Sequence, residues 1–164
     1  MIRNIERKDL PTILDIYNDA ILNTTAVYTY DAQQLSDREA WFESKVLANE
    51  PIFVYELNNK VVGFSTYGQF RNWPAYLYTI EHSIYVEHSH RGKGIATQLL
   101  QHLIEHAKQK NYRTMVAGID ASNSDSIHLH EKLGFTHAGT LKNVGYKFED
   151  WLDLAFYQLD LKND

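Results

Sequence analysis

The chain has 164 residues, 44% hydrophobic and 23% charged, with a formal net charge of −5 and no cysteine. That length supports one domain over residues 1–164 with a core that needs no covalent staples, and the missing cysteines exclude disulfides and thiolate metal sites. The acidic balance argues against wholesale nucleic-acid binding, no apolar run reaches membrane-spanning length, and the opening MIRNIERKDL lacks the apolar centre of a signal peptide, so a cytoplasmic location is expected.

Ile2 to Ile5 reads as a short strand. Asp9 is placed to cap a helix with Pro11 in its first turn, and Leu10, Ile13, Leu14, Ile16, Tyr17 and Ile21 recur at helical spacing. The β-branched and aromatic stretch NTTAVYTY follows as a loop. Ser36 and Glu39 form a capping-box pattern ahead of Trp41, Phe42, Val46 and Leu47. From Ile52 to Tyr67, two strands flank Asn58-Asn59, a hairpin signal. The link QFRNWPA is irregular, and Tyr76 to Val86 reads as a long strand. A helix then runs from about Ile95 to Lys110, its apolar stripe set by Ile95, Ala96, Leu99, Leu100, Leu103, Ile104 and Ala107. Thr114 to Ile119 is a strand, Ser122 to Leu133 a helix stopped by Gly134, and Phe135 opens a closing pair of strands that ends at Trp151 to Leu161. Consecutive hairpin strands argue against a purely doubly wound sheet. The order predicts a mixed, mostly antiparallel, twisted α/β sheet with helices on both faces.

The most informative turn is Arg91-Gly92-Lys93-Gly94-Ile95-Ala96-Thr97. A helix start leaves backbone N–H groups unpartnered and carries partial positive charge. Glycines 92 and 94 let that backbone approach a bulky anion, and Arg91 and Lys93 add positive charge. Three readings are open. The turn is a solvated loop with convenient glycines. It is a dinucleotide loop, although GKGIAT has Thr97 where the third glycine of GxGxxG belongs. Or it is a pyrophosphate loop for coenzyme A. A Walker loop is excluded, since GxxxxGK[ST] does not occur.

The segment RGKGIA resembles the R/Q-x-x-G-x-G/A signature of the GNAT N-acetyltransferase superfamily, and it follows the fourth strand and opens the third helix as it does there. TIEHSIYV (Thr79–Val86), SIHLHEKLGF (Ser126–Phe135) and VGYKFEDWLDLAFYQLDL (Val144–Leu161) resemble the branch that acetylates phosphinothricin, methionine sulfoximine and methionine sulfone. The resemblance covers essentially the whole chain. It implies a GNAT fold with splayed fourth and fifth strands, acetyl-CoA as donor, no metal, a small amino acid as acceptor and a homodimer.

By that resemblance, residues 92–97 anchor pyrophosphate, and Ile84, Tyr85 and Val86 offer backbone groups to the pantetheine arm. An N–H near Val86 faces the thioester oxygen as it gains charge. The acceptor amine is mostly protonated near neutral pH, so a base must take its proton. Glu81 is the candidate, and it matches the branch's TVE/TIE glutamate. Its bland reading is a polar residue on a strand's solvent side. His82 points to the opposite face. His130 stands where many GNAT enzymes place a tyrosine, and it can donate to, or hydrogen-bond, the leaving sulfur. Asn123 resembles the superfamily's pantetheine-binding asparagine or is an ordinary N-cap. Lys132 reaches the coenzyme's phosphates or is surface charge. Arg71 is the expected bidentate partner of an acceptor carboxylate, whereas Leu77 stands where related enzymes carry a second arginine. Tyr28, Tyr30, Phe70 and Trp73 are candidate pocket walls, and Tyr146 and Lys147 are expected to complete the site from a second subunit. His102-x-x-Glu105-His106 matches an inverted zinc-protease pattern but lacks a visible third ligand. Other acceptors, such as polyamines or protein N-termini, and a non-catalytic coenzyme A sensor are the alternative functions.

Overall fold

The computed structural model of the protein describes residues 1–162. The protein has strands β1 (Ile2–Asn4), β2 (Ile52–Leu57), β3 (Lys60–Gln69), β4 (Thr79–Val86), β5 (Thr114–Asp120), β6 (Thr136–Lys147) and β7 (Asp150–Asp160) and helices α1 (Leu10–Asn23), α2 (Leu35–Leu47), α3 (Ile95–Gln109) and α4 (Ser124–Lys132). The strands follow the hydrogen-bonded order β1-β2-β3-β4-β5-β7-β6. β4 and β5 pair in parallel, and the β1–β2, β2–β3, β5–β7 and β6–β7 ladders are antiparallel, as the mixed, mostly antiparallel expectation requires. The chain divides into two compact units, and β4 passes from one to the other between His82 and Ser83.

The first unit holds Met1–Thr24, Tyr30–Tyr67 and Ser83–Leu103. Its strands alternate in side-chain direction. Val54 and Phe64, paired across β2 and β3, bury against Ile13 and Ile16 of α1, with Tyr17, Trp41 and Tyr85 at the margin. The opposite face receives α3: a Cβ on Gly63 would stand 3.2 Å from Leu99 and 3.1 Å from the Tyr85 carbonyl, so glycine lets the helix sit close. Helices therefore cover both faces of this unit. Asn58 and Asn59, at φ 51° and 64°, make the tight β2–β3 turn that twisted strands favour.

Two helix starts differ from expectation. The α2 box is built by Gln34 and Asp37 rather than Ser36 and Glu39. Asp37 takes the Gln34 N–H at 2.8 Å, a nearer acid than Glu39, and the helix begins at Leu35. Asp9 makes no side-chain cap on α1. Its carboxylate accepts the Glu6 N–H and two bonds from Arg3 instead. Burial pushes the Asp9 pKa up, but the Arg3 bonds outweigh it and hold the acid below its usual range.

The second unit holds Thr25–Thr29, Gly68–His82 and the chain from Ile104 onward. Strand β4 begins at Thr79, not Tyr76, because Pro74–Tyr76 closes a 3-10 turn with proline fixed at its first position. The parallel β4–β5 ladder runs from Thr79–Thr114 to Glu81–Val116, whereas β5 pairs with β7 along its full length to Asp120. The β6–β7 hairpin turns at Phe148 and Glu149, φ 53° and 60°, without the glycine or asparagine such a turn favours. Three residues of β6, 142–144, bulge opposite Asp153, whose carboxylate accepts the Asn143 N–H at 2.7 Å.

Candidate active site

In the first unit, Gly92 and Gly94 adopt φ +76° and +81°, and nothing lies within 4 Å of where a side chain would project. Both glycines sit in the left-handed region that other residues reach only at a cost. The Gly94 carbonyl accepts the Gln98 N–H at 3.1 Å, which makes Gly94 the residue that opens α3. The amides of Ile95, Ala96 and Thr97 therefore have no acceptor inside the helix. Arg91, Gly92, Lys93 and Gly94 are exposed, and Ile95 is buried as the anchor. An open, glycine-flanked helix start beside two cations is suited to an extended anion. Arg91 is also turned back on its own unit: its Nε donates to the Val86 carbonyl at 3.3 Å, and its guanidinium stands 3.6 Å from Asp19.

Within the same unit, Ile84, Tyr85 and Val86 are half-buried at the end of β4. The Tyr85 ring packs edge-on to Tyr17 at 5.3 Å, and burial pushes its hydroxyl up to about 12. Sequence reasoning missed Arg38. It is buried, stacked 4.1 Å from the Tyr17 ring centre and 4.4 Å from that of Trp41. Its place in a charged, polar stretch of α2 gave no signal of burial. His102 of the zinc-like pattern packs edge-on to Phe53 at 4.5 Å. Among the described residues, no group of three potential metal ligands occurs, and no helix is long and apolar enough to cross a membrane.

In the second unit, Glu81 is half-buried on β4. Its Oε2 lies 3.4 Å from the position a Cβ of Gly118 would take, with Leu154 and Phe156 bordering the same spot. The missing side chain at 118 leaves space above β5, and the paired Phe156 supplies an apolar wall. Burial raises the Glu81 pKa, and the charge of Arg71 opposes it in part. A carboxylate in such a setting holds a proton more readily than one in water. Arg71 itself is exposed, lies over the Phe70 ring at 4.1 Å and donates to the Phe70 carbonyl. Trp73 is 74% exposed and Leu77 57%, so neither closes a pocket within this unit.

His82 and His130 form a buried pair on the other side of β4 from Glu81. Their Nε2 atoms are 3.0 Å apart, the rings stack within 3° of parallel, and Phe135 packs edge-on to both. The His130 Nδ1 lies 2.7 Å from the Ser126 carbonyl, which can only accept, so His130 carries its proton there. Its Nε2 then accepts from His82, and the buried Nδ1 of His82 is left without a hydrogen-bond partner. Burial pushes His82 down to about 3 and lowers His130 as well. Both nitrogens of His130 are thus engaged, and no N–H of this ring is aimed at a leaving sulfur. Asn123 caps α4 by accepting the Ser126 N–H at 3.1 Å, and Lys132 is exposed in the last turn.

Lys147 is only 4% exposed, and its ammonium donates to the Val27 carbonyl of its own chain at 2.7 Å. It holds the segment around Tyr28. No local pattern connects residues 120 positions apart, so this contact had no sequence signal.

The model of the acetyltransferase (GNAT) family matches residues 12–135. The chain belongs to the GNAT family. A crystal structure of an N-acetyltransferase from Staphylococcus aureus Mu50 is 68% identical with a TM-score of 0.98, covering 99% of this chain and 98% of that one. The L-methionine sulfoximine/L-methionine sulfone acetyltransferase of Pseudomonas aeruginosa is 45% identical over 98% of this chain and 94% of its own length. A GNAT-superfamily phosphinothricin acetyltransferase from Sinorhizobium meliloti, solved with acetyl-CoA, is 33% identical with a TM-score of 0.94, covering 98% of this chain and 87% of that one. The GNAT fold and the acetyltransferase class stand on these matches, and relatives of the methionine sulfoximine and phosphinothricin branch are among them. The GNAT signature residues Arg91 to Ala96 form the open helix start described above.

Proposed function

We propose that this GNAT protein, as one domain over residues 1–164, transfers the acetyl group of acetyl-CoA to the amino group of a small amino acid of the methionine sulfoximine, methionine sulfone or phosphinothricin type. The observation that carries the reading is the half-buried Glu81 carboxylate, raised by desolvation above the apolar floor of Gly118, Leu154 and Phe156. A raised carboxylate lies nearer in pKa to an α-amine, about 8, and so is a better match for taking its proton. Glu81 takes the ammonium proton and passes it to solvent, the freed amine attacks the thioester carbon, and Glu81 takes the second N–H proton as the C–S bond breaks, while Arg71 receives the acceptor's carboxylate.

The amides of residues 95–97 and the two open glycines suit the coenzyme's diphosphate, with Lys93 adding charge. When bound, acetyl-CoA supplies the activated acyl group. Strand β4 carries Glu81 and ends at Val86. In this reading the pantetheine arm lies along Ile84, Tyr85 and Val86. Asn123 and Lys132 are the remaining coenzyme contacts in this reading. The thiolate, with a pKa near 8.5, leaves without a proton from His130. The exposed Tyr146, Phe148 and Trp151 of the closing hairpin support a homodimer, and the absence of cysteine suits the cytoplasm.

The test is thiol release from acetyl-CoA with methionine sulfoximine, methionine sulfone, phosphinothricin and spermidine as acceptors. The amino acids turn over, and Glu81→Gln loses at least about 100-fold in kcat/KM. Preference for spermidine, or full activity of Glu81→Gln across roughly pH 6–9, which brackets the amine pKa, defeats the reading.

A further inference from the structure

We propose that Gly145 and Lys147 of β6 are positioning residues that set acceptor size, acting through Tyr28. The inference rests on the acceptor reading above and goes beyond it. Every residue in it belongs to the second unit, including the short strap Thr25–Thr29, whose chain neighbours on both sides belong to the first.

The strap is fastened at three points, Thr25, Val27 and Tyr28. The Thr25 hydroxyl donates to the Asp120 carboxylate, which also accepts the Ser122 N–H and hydroxyl. Lys147 donates to the Val27 carbonyl. The Tyr28 hydroxyl donates to the Asp153 carbonyl at 3.3 Å. Burial and the neighbouring Asp120 and Asp153 push that phenol up to about 12, so it keeps its proton, and it donates because the carbonyl can only accept.

The Tyr28 ring then lies directly on Gly145. A Cβ at 145 would stand 2.8 Å from ring Cε2 and 2.9 Å from Cδ2, closer than real contacts allow, and 3.3 Å from the Cβ of Leu152. The β6 bulge at 142–144 sets this register, because Gly145 follows it opposite Leu152. Bulges of this kind re-aim side chains beside functional sites.

Leu152 and Leu154 are two residues apart on β7, so they share a face and sit roughly 6–7 Å apart along the strand. Leu154 borders Gly118 beside Glu81, and Leu152 borders Gly145 beneath Tyr28. One apolar floor therefore runs from the proposed base to the Tyr28 ring. An acceptor whose amine sits at Glu81 and whose side chain follows β7 meets Tyr28 only if that chain is about as long as that of methionine sulfone. An alanine-sized acceptor stops short of it.

The experiment compares kcat/KM for methionine sulfone and alanine in wild type, Gly145→Ala, Tyr28→Ala and the double variant, together with hydrogen exchange of amides 25–29 in wild type, Lys147→Met and Lys147→Arg. Displacing the ring costs the long acceptor about tenfold relative to the short one, the scale of a lost apolar contact in a pocket, and leaves the KM for acetyl-CoA unchanged. The double variant matches Tyr28→Ala alone, because Gly145 acts through that ring. Lys147→Met speeds exchange across the strap, and Lys147→Arg restores protection. Additive effects of Gly145→Ala and Tyr28→Ala, an unchanged acceptor ratio, or equal exchange in Lys147→Met and wild type overturns the inference. If wild type acetylates no amino acid, the acceptor reading fails and the size role fails with it.

Discussion

Replacing His82 by glutamine tests the buried imidazole pair most directly. Glutamine retains an N–H near the position of the His82 Nε2 and can still donate to His130, but it cannot titrate. Burial lowers His82 from its ordinary 6.5 to about 3. In the folded protein the neutral form is favoured, whereas the unfolded chain takes up a proton as pH falls below 6.5. Stability is therefore greatest above that value and is lost progressively as pH falls from 6.5 toward 3. Each pH unit in that window costs about 1.4 kcal/mol per imidazole, so His82 alone removes about 2 kcal/mol between pH 6.5 and 5. Urea unfolding at a series of pH values from 7.5 to 5 reads this out. The wild type should lose about 2 kcal/mol more than His82→Gln over that interval, at an unchanged urea slope. Parallel pH profiles for the two proteins would refute the argument that His82 is held neutral by burial.

Further outcomes follow from the same geometry. Arg71→Ala raises the acceptor KM about 10- to 100-fold, the scale of a charge-assisted bond, and spares the KM for acetyl-CoA. Because the Arg71 charge opposes the rise of Glu81, the same variant moves the acidic limb of the pH–rate profile to higher pH. Gly94→Ala keeps an open surface but forces a side chain to φ +81°, at about 1–2 kcal/mol. Steady-state kinetics should show a raised acetyl-CoA KM and an unaltered acceptor KM. Glu149→Gly relieves a left-handed residue at φ 60° and should stabilise the closing hairpin by about 1 kcal/mol, seen as a melting temperature about 2–4 °C higher.

The parts of the molecule that were legible before folding are those governed by neighbours in the chain. The apolar period from Ile95 to Ala107 marks a helix because residues three and four apart share a face. Asn58-Asn59 marks a turn because asparagine tolerates positive φ, and Gly92 and Gly94 mark an open helix start for a related reason. Where local signals compete, the chain order alone does not rank them. Two acids three residues from possible caps stood in one stretch, and Asp37 with Gln34 prevailed over Glu39 with Ser36. The turn at Phe148-Glu149 carries no favourable residue and is imposed by the ladder on either side of it.

What the amino-acid order determined alone is thus the set of elements, the glycine-flanked helix start and the presence of an acid in β4. Tertiary structure decided how readily that acid holds a proton, since only folding places Gly118 and Phe156 beside Glu81 and buries part of its carboxylate. It also decided that His130 turns to His82 across 48 positions and that Lys147 clamps Val27 across 120. Hydrogen bonds and desolvation act over a few ångströms of space, and separation along the chain does not reveal which side chains will share that space.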